Sequence, residues 1–162
     1  MYKFLNNELI IKDEKLNIDI NCKKKFKKVI KKFQNIKTES FYYKNNLYGP
    51  SRSYVGDILV SEGFFLKNRE VGIFRRYYMS KELYSIECYK FGKFEGEQKY
   101  FYENKNIKSL LNYKDGLLQG KIILYYEDGN IKRESYFDRG SLLKDELFDK
   151  NQKIIKEEYF KI

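Results

Sequence analysis

Short aromatic-rich runs alternate with turn-forming clusters along most of this chain. Gln98-Lys99-Tyr100-Phe101-Tyr102 and Lys132-Arg133-Glu134-Ser135-Tyr136-Phe137 have the length and composition of strands. Lys114-Asp115-Gly116-Leu117 and Glu127-Asp128-Gly129-Asn130 stand beside such runs as turns. Asp-Gly between runs of this kind is a strong hairpin signal, because the tight turn needs positive φ. A helix would need longer periodic stretches than a chain with a glycine roughly every dozen residues allows.

The pattern repeats. Gly72, Gly96 and Gly120 are 24 residues apart, and so are Gly92, Gly116 and Gly140. Leu83, Ile107 and Ile131 keep the same step, as do Tyr78, Tyr102, Tyr126 and Tyr89, Tyr113, Phe137. Asn106-Ile107-Lys108 returns as Asn130-Ile131-Lys132. Upstream, Leu59 and Phe64-Phe65 fall in register; with one residue of slippage near Gly49, Ile36-Lys37 and Phe41-Tyr42 do too. A fixed period in the 20–50 range marks a repeat architecture. The expectation is an all-β fold, an elongated single-layer antiparallel meander sheet of about five hairpin units. Ten short strands at ~4.8 Å spacing would span roughly 45–50 Å. The repeat domain covers residues 25–162, most clearly 72–143, and residues 1–24 are set apart as an N-terminal cap or extension. The repeated glycines are read as turn markers and the aromatics as sheet-face residues that stand in for a second layer. The charged tail Lys156-Glu157-Glu158 suits an end strand that must not pair further.

The unit Gly-x5-Tyr-x4-Ile-Lys-x4-Tyr-x2-Gly-x3-Gly, read from Gly96 to Gly120, resembles the variant MORN repeat (membrane occupation and recognition nexus). The chain is similar in this respect to the bacterial YwqK-type group of antitoxin components of toxin–antitoxin modules. The resemblance implies a single-layer β-sheet acting as an interaction surface, with a protein partner such as a toxin. It implies no catalytic residue and no cofactor. The chain departs from the pattern at Lys105 and Asn68, where glycine is absent.

Composition narrows the chemistry. With no histidine, imidazole catalysis and His-ligated zinc are excluded. Cys22 and Cys88 are too few for a disulfide scaffold or a four-Cys metal site. No apolar run has the ~18 residues of a membrane span, and residues 1–11 lack the apolar core of a leader. Two unpaired-looking cysteines fit a reducing compartment, and a cytoplasmic setting is expected. Ser141-Leu142-Leu143-Lys144 matches Ser-x-x-Lys without its companion motifs, and the Gly92–Gly96 and Gly116–Gly120 spacings lack a phosphate-loop ending. Glu95, Glu103 and Glu127 are not placed by spacing at any catalytic separation, and Cys88 falls in a sheet column as a packing thiol. No enzyme, metal or cofactor site is expected.

The net charge of +10 is concentrated. Residues 23–32 hold Lys23, Lys24, Lys25, Lys27, Lys28, Lys31 and Lys32 and no acid. Read as a helix, Phe26, Val29, Ile30 and Phe33 fall at i, i+3, i+4 and i+7, the pattern of a basic amphipathic helix on an anionic membrane. That makes a peripheral membrane adaptor, attached through residues 23–33, the alternative to a protein-interaction module. Read as a strand, the segment simply opens the first repeat with solvated lysines; docking of an acidic partner is a separate reading of the same charges. Nucleic acid is the weaker candidate, because the aromatics follow the sheet period. The column Tyr78, Tyr102, Tyr126 is the expected partner-binding face, rigid rings with a polar handle, although packing of these rings along the sheet accounts for the spacing equally well.

Overall fold

A computed structural model describes residues 1–161. These form seventeen strands and no helix. The first three are β1 (Tyr2–Leu5), β2 (Glu8–Asp13) and β3 (Ile18–Lys23). Next come β4 (Lys27–Phe33), β5 (Ile36–Tyr43), β6 (Asn46–Val55), β7 (Ile58–Leu66), β8 (Arg69–Tyr77) and β9 (Leu83–Lys90). The clearest repeats supply β10 (Lys93–Phe94), β11 (Gly96–Phe101), β12 (Ile107–Lys114), β13 (Leu117–Leu118) and β14 (Gly120–Tyr125). The last three are β15 (Ile131–Asp138), β16 (Ser141–Phe148) and β17 (Ile154–Tyr159).

β4 to β17 build one antiparallel sheet in sequence order, with the short β10 and β13 paired beside β9 and β12. Twelve strands lie on its continuous path, two more than the sequence suggests, and span roughly 50–55 Å at ~4.8 Å spacing.

On one side the hairpins close through Lys44-Asn45, Lys67-Asn68, Phe91-Gly92, Asp115-Gly116 and Arg139-Gly140, with both central residues at positive φ. That is the mirror-image turn whose twist matches the strands it joins. Asn68 adopts φ 64° and so does the glycine's work where the repeat lacks one. Each turn is tied to the preceding unit, as in Gly92 N–H to Glu70 O (2.9 Å), Gly116 to Phe94 O (3.0 Å) and Gly140 to Leu118 O (2.9 Å). On the other side the upstream units turn through Gln34-Asn35 and Gly56-Asp57, whereas later units use longer loops from Tyr78, Tyr102 and Tyr126. This change of turn is where the 24-residue step is lost.

The ladder of Gly72, Gly96 and Gly120 is not in turns. Gly49, Gly72, Gly96 and Gly120 share φ of 78°, 74°, 73° and 74° and sit at bulges or strand breaks. Of the six glycines on the two ladders, only Gly92, Gly116 and Gly140 therefore mark turns; Gly72, Gly96 and Gly120 absorb extra residues that bend the strand.

Residues 1–24 form a separate three-stranded sheet, β1-β2-β3, laid on one face of the large sheet. Its inward residues alternate along each strand: Tyr2 and Phe4, Leu9 and Ile11, Ile18, Ile20 and Cys22. Leu9 and Ile11 are wholly buried, together with Leu16 and Ile18, against Phe26, Tyr48 and Val71. Phe4 packs on Phe41 and Phe26 with ring centroids 4.5 and 5.3 Å apart. Burying each aliphatic side chain here stabilises by about 1.5–3 kcal/mol. The large sheet is one layer thick, and this smaller sheet covers half of one face.

Candidate functional site

Cross-strand register assigns every residue of the large sheet to a face. The face under β1–β3 continues beyond it through Ile86, Lys99, Leu110, Ile123 and Glu134, each directly opposite the next. Ion pairs lace this uncovered stretch: Lys121–Glu134 at 2.7 Å, Lys144–Glu146 at 2.9 Å and Lys144–Glu157 at 3.1 Å. Where the covering layer stops, Leu16, Ile73, Ile86, Cys88 and Lys99 line a cleft of about 390 Å³.

The opposite face is covered by its own side chains. Phe65, Phe74, Tyr89, Phe94 and Tyr113 stack in a ladder with successive centroids 5.3, 5.1, 4.7 and 5.0 Å apart. Beneath it lies Glu87, 4% exposed. It accepts from Arg76 Nε at 3.0 Å, Ser85 Oγ at 3.0 Å and the Tyr89 hydroxyl at 2.9 Å. Burial is the largest single influence on Arg76 and works against its charge, but the hydrogen bond and the charge of Glu87, with Tyr89 beside them, together exceed it and hold the guanidinium above its ordinary value. Burial also raises the Tyr89 phenol and pushes Tyr100 up to about 12. The same device recurs further along. Asp145 accepts from Arg133 Nε (2.6 Å) and a second guanidinium nitrogen (2.7 Å), and from Ser135 Oγ (2.7 Å). The Arg133 hydrogen bond, against the opposing effect of burial, holds the Asp145 carboxyl below the usual range.

Gln98 is also wholly buried, and its carboxamide bonds both the N–H and the C=O of Cys88 at 2.7 and 3.1 Å. It thereby supplies the ladder contacts that the break at Gly96 removes. No buried side-chain nitrogen or oxygen among the described residues lacks a partner.

The tyrosine column is used internally. The hydroxyls of Tyr78, Tyr102 and Tyr126 donate to the carbonyls of Phe101, Tyr125 and Phe148 at 2.8, 2.8 and 2.9 Å. Each therefore locks one hairpin unit to the next. Their polar handles are occupied, and what the rings offer a partner is apolar area.

The lysine run forms no amphipathic helix. Residues 27–33 are β4, paired along its whole length with β5 and closed by the turn at Gln34-Asn35. In a strand the four apolar residues cannot share one face: Phe26 enters the core, while Val29 and Ile30 point to opposite sides. Lys28 pairs with Glu39 at 2.9 Å, and Lys24 and Lys31 lie over the rings of Tyr43 and Tyr42. Lys23, Lys24 and Lys25 line a shallow groove with Asn6 and Asn7.

Cys22 and Cys88 are free thiols packed against the core, and burial raises the Cys88 pKa. Among the described residues no cluster of three or more Cys, Asp or Glu could hold a metal ion. Glu87, Gln98 and Asp145 were not singled out by sequence reasoning. Glu87 stands in a repeat column otherwise filled by Leu111 and Ser135, so a charge breaking the column was the available signal. No family model matches the chain, and no curated protein is detectably similar to it.

Proposed function

We propose that this chain is a non-enzymatic protein-interaction module that binds a partner protein through its repeat sheet, as an antitoxin or immunity-type inhibitor covers its toxin. The observation that carries the reading is the uncovered half of one sheet face. Leu110 and Ile123 lie side by side there, and Lys99 separates them from Ile86 at the border of the surface that β1–β3 already occupies. A rigid backbone surrounds that pair, its turns tied unit to unit, and little conformational freedom is lost when such a surface is covered. The resemblance to variant MORN repeats supports the same reading.

The test is capture of partners from lysate at low and moderate salt, using the parent chain and the variant Leu110→Glu/Ile123→Glu, with thermal unfolding as a folding control. A single stoichiometric protein that survives moderate salt and is lost with the variant supports the reading, and co-expression then asks whether it is a toxin. A partner held equally by a folded variant, or only salt-labile material, overturns it.

A further inference from the structure

We propose that β4 is an acceptor edge for an acidic extended segment of another protein, which adds to the sheet as a further strand. β4 pairs with β5 alone, so every second residue turns its N–H and C=O outward with no strand to receive them. Six of its seven residues are exposed, Phe33 to 72% and Ile30 to 51%. The edge is therefore accessible, and part of what it presents is apolar.

Charge selects what can pair there. Within β4 the order Lys27-Lys28-Val29-Ile30-Lys31-Lys32 places two lysines on each side of a β-branched pair. Strand alternation sends Lys28 and Lys32 to one face and Lys27 and Lys31 to the other. An incoming strand thus meets a lysine on both faces at both ends and an apolar residue on both faces at its centre. Of the seven lysines in residues 23–32, Lys28 is the one with a carboxylate partner among the described residues. Outside residues 23–32 basic and acidic side chains are close to balance, 26 against 23. In β17, the strand at the opposite end of the sheet, Lys156 pairs with Glu158 at 2.9 Å and Glu157 with Lys144 at 3.1 Å. Lysines on an edge repel another basic edge, which guards against pairing with a copy of the same strand. The same positions attract a strand with acids at its ends. The complementary sequence is acid-acid-apolar-apolar-acid-acid, which matches in either strand direction. Backbone bonds would give such a segment affinity, and the lysines its specificity. The groove at Lys23, Lys24 and Lys25 extends the positive surface beyond the start of β4.

This site is distinct from the sheet face proposed above, since edge and face offer different atoms. The experiment measures binding of a fluorescein-labelled, capped peptide Glu-Glu-Val-Val-Glu-Glu to the full chain by anisotropy at moderate salt. Three controls accompany it: the permuted Val-Glu-Glu-Glu-Glu-Val, the first peptide with alternate backbone nitrogens methylated, and vesicles of anionic phospholipid. The expected result is saturable binding of the first peptide, weakened about tenfold or more by permutation and by methylation. It should also be lost in the variant Lys27→Gln/Lys28→Gln/Lys31→Gln/Lys32→Gln, whose exposed substitutions leave the thermal transition in place. Equal binding of all three peptides would reduce the edge to unspecific charge and overturn the proposal. So would no binding, or capture by the vesicles with no preference among the peptides. None of these outcomes touches Leu110 or Ile123, so either proposal can fail alone.

Discussion

The half of the large sheet beneath residues 1–24 and the half beyond it are built from one repeat but held together by different interactions. Under the small sheet, Leu9, Ile11, Leu16 and Ile18 meet Phe26, Tyr48 and Val71, and stability comes from apolar area buried between layers. Beyond it no layer is available. There the units are joined by tyrosine hydroxyls bonded to the next unit's backbone, by the exposed Arg133 reaching the buried Asp145 and by surface ion pairs. The aromatic ladder from Phe65 to Tyr113 bridges the two regimes. A repeat thus tolerates loss of its second layer when hydrogen bonds link successive units.

The largest test of this contrast is Ile11→Ala, which leaves a cavity between layers and should cost about 2–5 kcal/mol in urea unfolding. Ile122, buried in the single layer, should cost less when cut to alanine, because its surroundings can relax towards solvent. Equal losses would break the comparison.

Gly72 and Gly120 sharpen it, since both have φ of 74° and occupy the same place in the repeat. An added methyl at Gly120 meets nothing within 4 Å, whereas at Gly72 it would overlap the Tyr2 ring. Gly120→Ala should therefore cost about 1–2 kcal/mol from backbone strain alone. Gly72→Ala should cost about 1–3 kcal/mol more, from overpacking under the covering layer.

Asp145 tests the polar regime. Its folded carboxyl titrates below the unfolded value of about 3.9, so its contribution is present above that pH and is lost as pH falls through the lowered value. Asp145→Asn should lower stability at neutral pH by about 1–3 kcal/mol and flatten the acid limb of a stability–pH curve. The smallest expected effect is Tyr102→Phe, about 1 kcal/mol, from one bond between units. Were it neutral while Asp145→Asn was costly, ion pairs rather than tyrosine locks would hold the uncovered half.

Much of the fold was legible because the period acts on several residue types at once. Asp115-Gly116 and its equivalents announce the turns, and the alternation of rings announces the strands. The small sheet was equally legible in principle: Tyr2 and Phe4, Leu9 and Ile11, and Ile18, Ile20 and Cys22 alternate with period two. That signal lies outside the repeat and was masked by it. The lysine run misleads for a physical reason, since Phe26, Val29, Ile30 and Phe33 satisfy helical spacing while the strand's pairing with β5 distributes them over two faces and the core.

The sequence by itself determined the repeat, its turns and its all-β character, because turn φ and side-chain alternation are local properties of the chain. Only the tertiary structure decided which half of the sheet is covered, which glycines bend strands instead of turning them, and where the tyrosine hydroxyls go. It also put Glu87 and Asp145 beneath the sheet surface and left β4 without a partner on its outer side. These depend on register and on contacts between residues far apart in sequence, which local preference does not specify.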